Sequence, residues 1–269
     1  MPKPVFLHIP YKRGQKIKHH EESIKNMIAH FQENPEIIAL FLTGSVAAGT
    51  ERPNSDLDGV AVVSREYYEQ KKKSGAVVDV IESIWGKCTY EGGYFDVHYK
   101  TKQDLINISE SGTEPMRNMF SCARTLFCND PDLPELVSRI PVFQKTEAAE
   151  KQLTFYCTLK QSYSYFWAIC KPEGFARIHT AGRMVFCLYR LILLENETLF
   201  PSIRKLEETV KRSANKPGMI IEKCRRFIQS LSDEDALELI NSYEGWTSYD
   251  YPKDFQFIAN NCVDPYECK

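Results

Sequence analysis

The stretch from Phe41 to Val63, Phe-Leu-Thr-Gly-Ser-Val-Ala-Ala-Gly-Thr-Glu-Arg-Pro-Asn-Ser-Asp-Leu-Asp-Gly-Val-Ala-Val-Val, constrains this chain more than any other. An apolar run, Ile37 to Leu42, ends at Gly44-Ser45. A turn-rich loop with Gly49, Pro53 and Asn54 follows, and Asp56-Leu57-Asp58 then enters the apolar Val60 to Val63. The pattern reads as strand, tight turn, short helix or loop, strand. In an extended chain residues i and i+2 face the same way, so Asp56 and Asp58 project together from the start of the second strand. In a helix they would sit roughly 200° apart and could not share a ligand. Adjacent carboxylates repel unless a cation or a shared proton compensates them. Hard divalent cations such as magnesium take oxygen ligands of this kind. Gly44 permits a close backbone approach, and Ser45 offers an N–H and a hydroxyl to a phosphate. A phosphate cradle beside a carboxylate pair is what metal-assisted phosphoryl or nucleotidyl transfer requires. The competing reading is a hairpin whose aspartates merely sit in a turn, and the run they border is too apolar for a solvated edge.

Gly44-Ser45, ten residues and then Asp56-Leu57-Asp58 at the start of a strand resemble the signature of the nucleotidyltransferase superfamily, which shares a fold with DNA polymerase beta. Within that group the chain looks most like small bacterial enzymes that place a nucleotide on an aminoglycoside, a lincosamide or another hydroxyl compound. The resemblance implies a third acidic residue on a later strand, completing a magnesium site and accepting the proton of the attacking hydroxyl. Asp96, in Tyr94-Phe-Asp-Val-His-Tyr99, matches that placement, with Glu82 and then Asp79 as rivals. It also implies a lysine on a bundle helix after an aromatic–Pro pair. Lys205, after Phe200-Pro201, matches, although Leu206 stands where an aromatic usually follows.

The 269 residues allow a full core and two domains. Hydrophobic residues are 43% and charged residues 26%, which is globular rather than disordered composition. The net charge of −2, from 34 basic and 36 acidic residues, argues against a large nucleic-acid footprint, which needs a basic face. Nine scattered cysteines with no Cys-x-x-Cys pair argue against a zinc site. Their odd number, and the absence of a signal-like N-terminal run, give the expectation of a reducing cytoplasm. No run of about 18 apolar residues predicts a membrane span.

Taken in order, residues 1–18 read as a loose arm. Ile24, Met27, Ile28 and Phe31 recur at helical spacing until Asn34-Pro35 stops the helix. Lys16, Lys18, His19 and His20 read as a solvated helix entry or as a basic phosphate contact. Arg65 to Lys73 predicts a surface helix and Val77 to Trp85 a third strand; Gly86 and Gly92-Gly93 bracket a turn before the fourth. Phe95, Val97 and Tyr99 share one face of that strand; Tyr94, Asp96 and His98 share the other. Thr101 to Asp104 looks like a helix start. Met119, Phe120, Ala123, Leu126 and Phe127 predict a further helix from Met116 to Phe127, and Ala123-Arg-Thr-Leu-Phe127 followed by Asp130 resembles the helix closing the catalytic domain in the small transferases. The boundary falls near Pro141 to Glu147. Beyond it the periodicity is helical: 147–170, 175–196, 202–212, 220–230 and a fifth helix capped by Ser232. An aromatic tail, 244–269, wraps back.

The expected fold is therefore α+β: a catalytic domain at 1–142, with a mixed sheet flanked by helices, and a helical substrate-binding bundle at 143–269. The expected activity moves a nucleoside monophosphate from a triphosphate, ATP first, to a hydroxyl of a small acceptor. Asp56, Asp58 and Asp96 hold magnesium, Gly44 and Ser45 hold the outer phosphates, Lys205 reaches the triphosphate, and the bundle walls the cleft. Arg177, His179 and Arg183 are candidates for that cleft or for inter-domain ion pairs. Glu114, Glu173, Asp233 and Glu234 are available to an aminoglycoside-like polycation, and antibiotic resistance is an expectation of the same kind. The alternative is a non-catalytic nucleotide-binding regulator or toxin-neutralising partner of the same fold. An RNA-terminal transferase is disfavoured by the charge balance. No membrane partner is expected, and monomer and homodimer both stay open.

Overall fold

The computed structural model describes residues 17–76 and 79–263, so the expected arm before residue 17 lies outside the described residues. The chain divides into two compact units, Met1–Val142 and Phe143–Lys269. The architecture is α+β: a mixed five-stranded sheet flanked by helices, followed by an α-helical bundle.

The first unit is built on β1 (Ile37–Leu42), β2 (Leu57–Val63), β3 (Val80–Trp85), β4 (Tyr94–Lys100) and β5 (Arg124–Cys128), in the spatial order β3-β4-β2-β1-β5. β2 and β4 run parallel; the other pairs are antiparallel. Strand alternation divides the apolar side chains between two faces. On one face, Leu40, Leu42, Ala61, Val63, Phe95, Val97 and Tyr99 pack with Ile24, Met27 and Phe31 of α1 (Lys18–Gln32) and with Tyr68 of α3 (Arg65–Lys72). On the other, Ala39, Phe41, Val60 and Val62 pack with Leu105 and Ile108 of α4 (Lys102–Ser111) and Leu133 and Val137 of α6 (Leu133–Arg139). Helices thus cover the second face over β1 and β2. Over β3 it is open, with Ile81, Ser83 and Trp85 exposed. Met27 packs closely over Gly59 on the first face: a Cβ there would lie 2.5 Å from Met27 Cε, so the methionine end would have to move.

The helix expected at Met116–Phe127 does not form. A short α5 (Glu114–Asn118) ends before a turn, and Arg124–Cys128 is the edge strand β5. The segment read as a closing helix is therefore β-structure. The apolar stripe that suggested a helix is split between two cores. Phe120 and Ala123 join the α4 side, whereas Leu126 and Phe127 join the α1 side. One helical face cannot serve both. β1 is buried almost throughout, and its second edge needs backbone partners. Residues 124–128 supply them, with a register irregularity between Leu40 and Phe41. α6, which follows Asp132, has no counterpart among the expected elements.

The entry to α1 is solvated only in part; Lys18 is exposed and Lys16 lies outside the described residues. His20 is 1% exposed rather than solvated, and His19 lies against Tyr90 at 4.4 Å between ring centroids. Lys18 pairs with Glu22 at the surface.

The end of the first unit is clamped by Arg117, 1% exposed. Its Nε donates to Gly112 O, Nη1 to Ile140 O and Val142 O, and Nη2 to Ser109 O, over 2.7–3.3 Å.

In the second unit α7 (Lys145–Gln161) runs into a π-helical stretch, Ser162–Trp167, followed by α8 (Gly174–Glu195), α9 (Ile203–Arg212), α10 (Ile220–Ser230), α11 (Asp233–Glu244) and α12 (Phe255–Asn261). The hydroxyls of Thr158, Ser162 and Ser164 bond carbonyls four residues back, and the π turn delivers Trp167 to the core with its Nε1 donating to Asp233. Arg190, which interrupts the apolar α8, is buried between the rings of Phe155 and Phe200, at 4.7 and 4.3 Å. Arg177, a candidate for the cleft or an inter-domain ion pair, is engaged within its own unit. It donates to Leu231 O, pairs with Asp233 and covers the Trp167 ring. The described part of the aromatic tail, 244–263, folds back on its own unit: Tyr251 stacks on Tyr156 at 3.6 Å and accepts from Gln152 Nε2. Among the described residues no helix is long and apolar enough to cross a membrane, and the eight described cysteines are free.

Replacing Arg117 by alanine strands four carbonyls at once. The expected cost is about 3–5 kcal/mol of unfolding free energy, read from urea denaturation followed by circular dichroism. A loss below about 1 kcal/mol would show that water satisfies those carbonyls and that the clamp is dispensable.

Candidate active site

The site begins where β1 ends. Leu42 pairs with Gly59, and the Thr43 N–H donates to Asp58 O at 2.9 Å, so the chain leaves β1 beside the start of β2. Gly44 then takes φ +67° and opens α2 (Gly44–Ala47). A Cβ at Gly44 would lie 1.8 Å from Asp58 Oδ2. Both the dihedral and the close approach therefore require glycine. The bend faces the carboxylate, and the first turn of α2 presents amide N–H groups that a helix start leaves without intrahelical partners.

Asp56 immediately precedes β2, Asp58 lies within it, and Asp96 lies on β4. Parallel pairing places Asp58 opposite Asp96. One carboxylate oxygen from each of Asp56, Asp58 and Asp96 comes within 4.8 Å of the others, and all three residues are half-buried. Neighbours set their orientation. Tyr94 Oη donates to Asp56 Oδ2 at 3.0 Å, and Ser83 Oγ to Asp96 Oδ1 at 3.4 Å. The hydrogen bond to Asp56 is the main reason the Tyr94 phenol is held above its usual range. The loop carrying Asp56 is tied down as well: Tyr90 Oη donates to Ser55 O at 2.5 Å, and His19 Nε2 meets Pro53 O at 2.8 Å. Three converging carboxylates repel one another in the absence of a compensating cation. An all-oxygen donor set of this kind fits a hard divalent ion and not a soft one.

The rival carboxylates are engaged elsewhere. Glu82 points to the opposite sheet face, where Lys71 Nζ (2.6 Å) and Tyr99 Oη (2.7 Å) donate to it. Burial pushes its carboxyl up, but these bonds more than offset that and leave it lowered. Asp79 binds His98 Nδ1 at 2.9 Å and Lys100 Nζ at 2.6 Å. Burial raises its carboxyl and the two partners more than reverse the effect. Lys205 is exposed on α9 of the second unit. Of the acidic residues considered for a polycationic acceptor, Glu114 is buried in the first turn of α5 and Asp233 is engaged by Trp167 and Arg177; Glu173 and Glu234 are exposed.

The sequence reading assigned no role to Tyr94, Ser83, Ser55 or Tyr90. Alternation from Asp96 put Tyr94 on the same face. The cross-strand pairing that brings Ser83 to Asp96, Ser83↔Asp96 in the β3–β4 ladder, has no signal in a single chain.

Residues 25–132 match the model of the family described as Polymerase beta, Nucleotidyltransferase. The first unit thus carries a nucleotidyltransferase domain. No curated protein matches the chain. Among solved structures, a nucleotidyltransferase-like protein from Exiguobacterium sibiricum 255-15 is 11% identical, with 84% of this chain and 74% of that one covered and a TM-score of 0.46. Spectinomycin adenyltransferase AAD(9) from Enterococcus faecialis, solved with ATP and spectinomycin, is 16% identical, with 83% and 99% covered and a TM-score of 0.36.

Two predictions follow from this geometry. Gly44→Ala is expected to weaken divalent-cation binding about 10–100-fold, the usual cost of disturbing groups that orient a ligand, in manganese titrations. Gly49→Ala is the control: Gly49 has φ +65° but nothing within 4 Å of its Cβ position. Equal losses in both variants would mean that backbone strain, and not the Asp58 contact, is responsible. Separately, the lowered carboxyl of Asp79 contributes stability that is present above its unfolded pKa of about 4. That contribution fades as pH falls through the lower folded value. Asp79→Asn should flatten the acid limb of stability against pH without changing cation affinity; an unchanged limb would exclude this linkage.

Proposed function

We propose that the first unit transfers a nucleoside monophosphate from a nucleoside triphosphate, with ATP as the first donor to test, to a hydroxyl of a small-molecule acceptor. The observation that carries this reading is the convergence of Asp56, Asp58 and Asp96 to within 4.8 Å beside the Gly44 bend. The family match over residues 25–132 supports it.

Magnesium or a similar divalent ion held by the three carboxylates would supply charge neutralisation at the α-phosphate and at the oxygens joined to it. The chain's own residues do the rest. The Gly44 and Ser45 amides, with the Ser45 hydroxyl, hold the outer phosphates. Asp96 accepts a hydrogen bond from the acceptor hydroxyl and takes its proton as the oxygen bonds to the α-phosphorus. The bond from that phosphorus to the bridging oxygen breaks, and pyrophosphate leaves with its electron pair. Tyr94 and Ser83 keep the Asp56 and Asp96 carboxylates turned inward before substrate arrives.

Wild-type protein is expected to release pyrophosphate from ATP or GTP with magnesium, and to add a nucleoside monophosphate mass to one member of a panel of hydroxyl acceptors. Asp96→Asn should lower kcat by about 10²–10⁴, the range for loss of a general base, with nucleotide affinity retained. Asp56→Asn at the wild-type rate would refute the triad. Nucleotide binding without turnover on any acceptor would favour a non-catalytic regulator.

A further inference from the structure

Beside the triad stands an exposed indole, Trp85, to which the transfer chemistry gives no role. β3 and β4 pair so that Trp85 stands opposite Tyr94 and Ser83 opposite Asp96. All four residues lie on the sheet face that carries Asp58, and over β3, among the described residues, that face is exposed at Ile81, Ser83 and Trp85. Trp85 and Tyr94 are stacked, with ring centroids 4.4 Å apart and planes 26° apart. Tyr94 occupies one side of the indole, yet Trp85 remains 64% exposed. The Tyr94 hydroxyl is bonded to Asp56 at 3.0 Å. The aromatic pair is therefore fixed to the reaction centre by a direct hydrogen bond, and its outer surface is open.

From these observations we infer that Trp85, backed by Tyr94, is the shelf on which the acceptor lies. This rests on the nucleotidyl-transfer reading above. The direction follows from in-line displacement, in which the attacking and leaving oxygens stand on opposite sides of the phosphorus. Gly44 and Ser45, proposed for the outer phosphates, follow β1, on one side of β2 in the sheet. Trp85 and Tyr94 belong to β3 and β4, on the other. The leaving pyrophosphate and the shelf are thus on opposite flanks of the triad. A group resting on Trp85 approaches from the attacking side, next to Asp96.

The shelf also specifies the acceptor's chemistry. An aromatic face carries negative charge density and attracts polarised C–H groups and cations, tryptophan most strongly. Carboxylates at its edge receive hydroxyl and ammonium hydrogens. The matching ligand is a saturated hydroxylated ring, a sugar or cyclitol, that lays its C–H face on the indole and presents one hydroxyl to Asp96. Amino substituents strengthen the fit.

The test uses the full chain with three probes: ATP, 2-deoxystreptamine and methyl glucopyranoside. Saturation-transfer NMR reads ring contact and isothermal titration reads affinity, neither requiring turnover. Wild type is expected to bind at least one of the two rings, with saturation reaching its C–H protons. Trp85→Ala should weaken that ring at least about 10-fold, as for loss of a stacking face, and Trp85→Phe should recover most of it. ATP affinity should stay within about twofold in both, since the shelf lies off the phosphate side. Loss of ATP affinity instead would assign the shelf to the nucleobase and overturn the proposal. So would unchanged ring affinity in Trp85→Ala, or failure of wild type to bind either ring. Pyrophosphate release by wild type is measured in parallel. Its absence alongside Trp85-dependent ring binding defeats the transfer reading and leaves Trp85 a ring-binding shelf with no acceptor role; its presence alongside Trp85-independent ring binding defeats only the shelf.

Discussion

Parallel pairing of β2 with β4 is the constraint from which the rest of the site follows. It sets Asp58 opposite Asp96 and, with Asp56 two residues earlier, gathers three like charges where two strands begin. Such a cluster opposes folding in the absence of a counter-charge. The surrounding structure holds it all the same. Tyr94, Ser83 and the Thr43 amide bond to the aspartates or their backbone, and the apolar residues on either side of Asp58, Leu57 and Gly59 to Val63, are fully or almost fully buried. Packing of the sheet between α1 and α4 thus stabilises an arrangement that the carboxylates alone would disperse. A preorganised cluster then needs no rearrangement when a cation arrives.

The same sheet explains why one end is open and the other closed. β1 and β2 are buried on both faces, and β1 needs partners on both edges. β5 supplies the second, at the cost of the helix that its apolar spacing suggests. β3, on the far edge, is covered on one face only; its other face shows Ile81, Ser83 and Trp85 to solvent. An edge strand with one bare face is where a ligand can reach the carboxylates without displacing core side chains.

The legible parts of the fold were those with a local signal. Gly44-Ser45 and Asp56-x-Asp58 flanked by apolar runs fixed two strands and the bend, and the helical periodicities of 147–244 are all present as helices. Local signal failed where one segment serves two environments. Residues 119–127 have helical spacing because they feed two cores on opposite faces of the sheet. His20 looked solvated among lysines and is buried beside Tyr90, a contact made 70 residues away. In the candidate site, alternation indicated which face Asp96 occupies. It could not indicate that β4 lies next to β2, nor that the β3–β4 register turns Glu82 to the opposite face; together these separate Asp96 from Glu82. That choice depends on sheet order, and sheet order is set by burial over the whole unit.

In the proposed reaction the triad would act on atoms common to every nucleoside triphosphate, and so would have no means of choosing an acceptor. Selection must come from side chains outside the motif, and these need not resemble those of any relative. Trp85 meets the physical requirement. It is large, rigid in its stack with Tyr94, and connected to Asp56 through a single hydroxyl. A floppy side chain at that position would lose entropy on ordering, whereas a pre-stacked indole has already lost it. On the proposed reading, acceptor choice and metal geometry would be coupled through Tyr94, whose ring stacks on Trp85 while its hydroxyl orients Asp56. A substitution at Tyr94 would alter both together, whereas one at Trp85 leaves the Tyr94–Asp56 hydrogen bond in place.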